Sequence, residues 1–159
     1  MKPVLFSLAA AALIGFAGSA FAHDAVQPSD TRSPLEIVAA FGTALDAGDE
    51  EALARLMASD VQIAESGHIE RSLEEYRAHH MAADIAFAEA VATTVLDRRV
   101  YEGDSLATVI TEAVSRGAFR ERPVNSRLME TMVLKLTDGD WKIVHIHWSS
   151  ASLAADNEH

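Results

Sequence analysis

The stretch RLMETMVLKLTDGDWKIVHIHWS, residues 127–149, contains the strongest hairpin signal in the chain. Two runs rich in apolar and β-branched residues flank Asp138-Gly139. An Asp-Gly pair between such runs favours a two-residue turn, because both residues tolerate positive φ. The sequence therefore predicts two antiparallel strands, at 127–137 and 141–149.

The turn also predicts the register of this hairpin. With two residues in the turn, Leu136 pairs with Trp141, and counting by twos places Glu130 opposite His147 with His145 on the same face. That face is apolar near the turn and polar at its far end, as expected for the wall of a pocket. We therefore predict that Glu130, His145 and His147 line a pocket.

Capping signals divide the first half of the chain into helices. Residues 33–36, Ser-Pro-Leu-Glu, form a capping box with proline at the first helical position, and Gly48 is the predicted end of that helix. Asp49 can cap a short second helix. Residues 72–75, Ser-Leu-Glu-Glu, form another capping box, which predicts a third helix running to about Ala90.

The other segments follow the period of strands. Residues 61–65 alternate as a brief strand, and β-branched runs predict further strands at 92–101 and 105–114. Residues 116–125 carry three arginines and are predicted to form a polar loop. Helices followed by a meander of strands indicate an α+β fold, one domain with an antiparallel sheet packed on three N-terminal helices.

The first 22 residues have the pattern of an export signal. Lys2 precedes an uncharged run at 4–18, and Ala20 and Ala22 suit signal-peptidase cleavage before His23. We predict a periplasmic or secreted protein with no stable membrane anchor after cleavage. The alternative is an uncleaved anchor, because residues 4–22 are just long enough to span a bilayer. The predicted organisation is a signal peptide at 1–22, a flexible lead-in at 23–32, the domain at 33–151 and a polar tail at 152–159.

Composition excludes several classes of function. The 13 Lys+Arg against 24 Asp+Glu give a formal net charge of −11, which argues against nucleic-acid binding because phosphate contacts need a concentrated basic surface. The chain has no cysteine, which excludes disulfides, thiolate metal sites and a cysteine nucleophile.

The predicted third helix places titratable groups on its apolar face. At about 100° per residue, Tyr76, His80 and Asp84 fall on one stripe. Asp84, one turn after His80, can accept a hydrogen bond from the imidazole and fix its tautomer. We expect Glu65, at the end of its strand, to join this cavity, and His79 either to lie at its rim or to face solvent. The alternative is that His80 and Asp84 form a purely structural pair.

The order of these elements resembles the SnoaL-like (DUF4440-type) branch of the NTF2-like superfamily. The similar stretches are 44–65 and 130–149, the second ending in Trp-x-Ile-x-His-x-His-x-Ser, within a match over about 33–150. The resemblance implies an NTF2-like cone, in which a curved sheet wraps around helices and a pocket opens at the wide end. Because the superfamily includes isomerases, cyclases, dehydratases, binding proteins and assembly domains, it does not fix the chemistry. Many such cones pair through the outer sheet face, so a homodimer is expected, with Val144, Ile146 and Trp148 supplying apolar area.

Three functional hypotheses remain open. The first is binding of a small polar or carbonyl-containing molecule in a pocket lined by Glu65, Tyr76, His80, Asp84, Glu130, His145 and His147. The second is a lyase, isomerase or cyclase in which His80, oriented by Asp84, is the catalytic base. The third is a zinc or copper site formed by His79, His80, His145 and His147 with nearby carboxylates. Their spacing matches no recognised metal motif, so neither a metal nor another cofactor is part of the prediction.

Overall fold

The computed structural model describes residues 32–154. In chain order the elements are α1 (Pro34–Ala47), α2 (Glu50–Leu56), β1 (Met57–Glu65), β2 (His68–Glu70), α3 (Leu73–His79), α4 (Met81–Ala90), β3 (Val91–Glu102), β4 (Leu106–Phe119), β5 (Arg122–Thr137) and β6 (Asp140–Ser152). The predicted signal peptide, nearly all of the predicted lead-in and the end of the predicted tail lie outside the described residues. None of the helices in this part of the chain has the length and apolar character needed to cross a membrane.

The strands form one six-stranded sheet in the order β2-β1-β6-β5-β4-β3. The sheet curves around the helices without closing. Neighbouring strands are antiparallel except β1 and β6, which run parallel. The parallel pair is possible because the chain between β1 and β6 is long enough to return in the same direction. The predicted α+β cone is confirmed, with a mixed sheet in place of a wholly antiparallel one.

The helix starts are those that the capping signals predict. The Ser33 hydroxyl accepts from the backbone N–H of Glu36, and the Glu36 carboxylate accepts from that of Ser33 at 2.7 Å. Gly48 ends α1 at φ 65°, and Asp49 and Ser72 cap α2 and α3 through their side chains. These features depend on residues a few positions apart, so the sequence alone specifies them.

The core lies between the first two helices and the concave face of the sheet. Ile37 and Phe41 of α1 and Leu53 of α2 pack in one buried cluster with Met132 and Ile146. Burying a side chain of this size contributes about 1.5–3 kcal/mol. These side chains fill the narrow end of the cone.

The predicted polar loop at 116–125 is wrong. Strand β4 continues to Phe119 and β5 begins at Arg122, so the turn consists of Arg120 and Glu121 alone, with φ of 48° and 63°. The sequence does not indicate this turn, because neither residue is Asn, Asp or Gly, the residues that ordinarily favour positive φ. The extended hairpin brings Phe119 and its neighbours to the wide end of the cone.

The predicted third helix is divided into α3 and α4 at His80. The backbone N–H of His80 donates to the Tyr76 carbonyl, while the His80 carbonyl accepts from Ala83 and Asp84. His80 therefore ends one helix and begins the next. No glycine or proline marks the break, so it could not be predicted from the sequence.

A β-bulge in β6 makes the predicted hairpin register wrong beyond its first pairs. Leu134 faces Ile143 as predicted, but the next pair is Val133 with His145, so Val144 is an extra residue in β6. One inserted residue exchanges the two faces for every side chain after it. The remaining members therefore pair Glu130 with Trp148 and Thr131 with His147.

Candidate functional site

The wide end of the cone encloses a cavity of about 560 Å³, which we call the cone cavity. It lies between the end of α1, helix α4 and the concave face of β3–β6. Its volume is within the range of about 300–1,000 Å³ that is typical of small-molecule sites. The lining includes four acids, three aromatic rings, five hydroxyl groups and one arginine: Asp46, Glu65, Asp84, Glu130, Phe87, Phe119, Trp148, Thr93, Ser115, Ser126, Ser150, Ser152 and Arg120.

The bulge places Glu130 beside Trp148 at the inner end of this cavity. The two residues are cross-strand partners on β5 and β6, and the indole Nε1–H donates to Glu130 Oε2 at 2.9 Å. Trp148 is buried and also contacts Phe41 of α1, with ring centroids 6.3 Å apart. The hydrogen bond fixes the Glu130 carboxylate at the cavity wall. The sequence also predicted Glu130 in a pocket wall, but with His145 and His147 as its neighbours in place of Trp148.

Asp84 and Tyr76 form the second hydrogen-bonded pair of the site. The Tyr76 hydroxyl donates to Asp84 Oδ2 at 2.9 Å, and Tyr76 is fully buried. Burial raises the pKa of Asp84 from 3.8 to about 6, and the nearby carboxylate of Glu65 adds to the rise, while the Tyr76 hydrogen bond opposes it. Burial, together with the Asp84 carboxylate, raises the pKa of Tyr76 far above its usual value, so the phenol stays a donor.

A smaller cavity of about 90 Å³ adjoins the cone cavity. Glu65, Asp84 and Trp148 line both cavities, so these residues form the boundary between them. The smaller cavity is completed by Glu70 of β2 and by His80. Carboxyl groups of three elements therefore lie around one small space, where Glu65 and Glu70 add to the effect of burial in raising the pKa of Asp84.

The predicted hydrogen bond between His80 and Asp84 is wrong, because each residue has a different partner. His80 Nδ1 pairs with the Glu70 carboxylate, whose side chain is only 9% exposed. The His80 side chain is itself 52% exposed. Asp84 is held by Tyr76, as described above. His80 and Tyr76 thus line the smaller cavity and not the cone cavity, whereas Asp84 lines both.

His145 and His147 do not lie with Glu130. The bulge places them on the convex face of the sheet, where their ring centroids are 6.5 Å apart, and neither lines the cone cavity. The predicted pocket wall is therefore wrong for these two histidines, and their role in ligand binding stays a prediction without geometric support. Among residues 32–154, no group of three or more His, Asp or Glu side chains is arranged to hold a metal ion, and the four histidines proposed for one do not converge.

Several residues of the site were not predicted from the sequence. Glu70 lies on a strand of three residues that follows a tight turn, and Trp148 was expected on the opposite face of β6. Phe119 was placed in a loop. A bulge signal in β6 would have found Trp148, but the sequence around Val144 contains no glycine or other residue that marks one.

The cone and its acid-lined cavity define the class of protein, and the comparisons agree. Residues 35–153 match the family model described as the SnoaL-like domain, so the chain belongs to the SnoaL-like family of the NTF2-like superfamily. Among curated proteins, none matches the chain significantly.

Three solved structures show how far the similarity extends. A protein of Shewanella frigidimarina NCIMB 400, provisionally assigned as a ketosteroid isomerase, is 36% identical over 72% of this chain and 92% of its own, with a TM-score of 0.70. The hub homology domain of CaMKII from Chlamydomonas reinhardtii is 26% identical over 74% and 92%, with a TM-score of 0.56. The CaMKII hub of S. rosetta is 24% identical over 79% and 98%, with a TM-score of 0.64, and shows the shared fold alone.

Proposed function

We propose that this protein binds a small polar molecule in the cone cavity, with the polar end of the molecule at Asp84 and Glu130. The observation that carries the proposal is a cavity of about 560 Å³ that holds two oriented carboxylates and whose walls combine aromatic rings with hydroxyl groups. Orientation by Tyr76 and Trp148 lowers the entropy that a carboxylate loses when a ligand binds.

Thermal-shift measurements with a metabolite panel, in the presence of a chelator, test this binding. A bulky side chain at Ser150 should abolish any stabilisation, because Ser150 lines the cavity and is exposed. Ser149 is the matched control, since it is also exposed but its side chain lies on the convex face. The proposal predicts loss of the ligand shift in Ser150→Trp and its retention in Ser149→Trp. Equal shifts in both variants would show that the ligand binds elsewhere.

A second candidate function is proton transfer of the isomerase type, with Asp84 as the base. Two observations favour it: the pKa of Asp84 is raised to about 6, and a relative that is 36% identical is provisionally assigned as a ketosteroid isomerase. A base with a pKa near the working pH is both deprotonated and able to accept a proton. Asp84 takes this role in place of His80, which is half-exposed and paired with Glu70.

Conversion of a β,γ-unsaturated 3-ketosteroid to its conjugated isomer, followed by ultraviolet absorbance, tests this candidate. The initial rate should rise with an apparent pKa of about 6 and be lost in Asp84→Asn. An unchanged rate in Asp84→Asn would remove Asp84 from the reaction.

We also propose that the protein is exported and cleaved after Ala22. The support is the charge, apolar run and small residues of the first 22 positions. Expression in a Gram-negative host, fractionation and N-terminal sequencing provide the test, with a periplasmic product beginning at His23 as the expected result. A cytoplasmic product that retains Lys2 would contradict export.

The protein is further proposed to form a homodimer through the convex face of the sheet. Ile146 and Trp148 were expected to supply apolar area to this interface, but the β-bulge buries both on the concave side. Tyr101 and Met129 lie on the convex face and are 62% and 40% exposed. Sedimentation velocity at micromolar concentration should give a dimer that Met129→Lys weakens, while Leu35→Lys on α1 does not. A monomeric wild type would contradict the proposal.

A further inference from the structure

The charges lining the cone cavity are strongly unbalanced. Its acids are Asp46, Glu65, Asp84 and Glu130, and its one basic lining residue is Arg120. On the basis of the proposed binding function, we infer that the ligand is an organic cation: an ammonium group at the inner acids, carried by an apolar or aromatic body.

The inner end of the cavity offers acceptors to a ligand. The groups that donate to its two carboxylates are already used, because the Tyr76 hydroxyl donates to Asp84 and the Trp148 indole donates to Glu130. Each carboxylate keeps further lone pairs that can accept from a ligand. A carboxylate placed there would be repelled by both charges and a carbonyl oxygen would face two further acceptors, whereas an ammonium group would donate to them in charge-assisted hydrogen bonds.

Neither nearby arginine neutralises these acids. Arg120 is exposed in the β4–β5 turn, and its guanidinium lies 5.0 Å from the centroid of the Phe119 ring. Arg98 lies on the concave side, two strands from Glu130, but its Nε–H donates to Thr111 at 2.9 Å and it does not line the cavity. The net charge of −11 also raises the local concentration of cations around the protein.

Aromatic rings complete a site suited to a cation with an apolar body. Phe87 of α4 and Phe119 of β4 meet edge to face, with centroids 5.4 Å apart, and Trp148 closes the inner end. Ring faces attract ammonium groups, most strongly where water is excluded. Carboxylates and rings in one cavity therefore recognise both parts of an amphipathic amine.

Calorimetric titration of the full chain with three indole probes of matched shape tests the inference. Tryptamine carries an ammonium group, tryptophol a neutral hydroxyl and indole-3-propionate a carboxylate. We expect tryptamine to bind about tenfold or more tightly than tryptophol, and indole-3-propionate to bind most weakly. The advantage of tryptamine should shrink as salt is added, because the charges are partly screened.

Two glutamate variants test whether the preference for an ammonium group arises in the cone cavity. Glu130→Gln removes one charge but keeps an oxygen that accepts from Trp148. The substitution should therefore lower the affinity for tryptamine by about fivefold and change the affinity for tryptophol by less than about twofold. Glu102→Gln is the control, since Glu102 is exposed at the far end of β3 and does not line the cavity. An equal loss of affinity for tryptamine in both variants would overturn the assignment of the cation site to the cone cavity.

The outcomes separate this inference from the proposed function. Tighter binding of tryptophol than of tryptamine overturns the preference for a cation and leaves a pocket for neutral molecules. Failure of all three probes to bind at millimolar concentration also overturns the preference for a cation, while the metabolite panel and the Ser150 variant still decide whether the cavity binds small molecules.

Discussion

The carboxyl group of Asp84 is ionised at neutral pH in a place that disfavours its charge. Burial is the main cause, and the carboxylates of Glu65 and Glu70 act in the same direction. The folded protein therefore holds a proton on Asp84 more tightly than the unfolded chain does. Because the folded state binds more protons between about pH 4 and 6, stability must fall as pH rises through that interval.

The magnitude follows from the two pKa values. The difference between about 6 in the folded protein and the usual 3.8, at about 1.4 kcal/mol for each pH unit, corresponds to about 3 kcal/mol above pH 6. Replacing Asp84 by Asn removes the charge and keeps an oxygen that accepts from Tyr76. Because a neutral acceptor forms a weaker hydrogen bond, the expected net gain at pH 7.5 is about 1–3 kcal/mol.

Urea unfolding of wild type and Asp84→Asn between pH 4 and 8 measures this gain. The two stabilities should be close at pH 4 and diverge as pH rises, with the variant more stable at neutral pH. His80, which faces the same small cavity and opposes the rise in pKa, stays unchanged in both proteins. Asp104→Asn, in an exposed turn, is the matched control and should show no such divergence. A stability difference that stays constant from pH 4 to 8 would show that the charge of Asp84 does not destabilise the folded protein.

Three further substitutions have defined outcomes in the same assay. Gly117→Ala would place a Cβ 2.8 Å from a backbone oxygen, so we expect a loss of about 1–3 kcal/mol. Gly42→Ala, in α1 with nothing within 4 Å of the new Cβ, should instead raise stability by about 0.5–1 kcal/mol; two losses would contradict the prediction for Gly42, and two gains the prediction for Gly117. His80→Ala would leave the buried Glu70 carboxylate without its partner and should cost about 1–3 kcal/mol, against little change for the exposed His79→Ala.

The sequence by itself determined the features that depend on neighbouring residues. The capping box at Ser33, the N-cap at Ser72, the stop at Gly48 and the Asp138-Gly139 turn are where they were predicted, although Glu75 accepts from the backbone of Arg71 and not from that of Ser72. Each relies on hydrogen bonds or φ values within four residues, which no distant contact needs to supply. Because their order along the chain fixes the order of helices and strands, the fold class and the SnoaL-like resemblance could also be predicted.

Which residues line the site depends on contacts between residues that are far apart in the chain. Val144 carries no local mark of a bulge, yet the extra residue puts Trp148 inside the cone and His147 outside it. Burial of Ile146 and Trp148 is the gain that favours this register, and it exists only once the helices cover the concave face. His80 likewise pairs with Glu70 and not with Asp84, and Glu70 lies on a short strand, ten positions earlier, that the sequence did not reveal. Alternation specifies which residues share a face, but packing across the cone decides which face is inside.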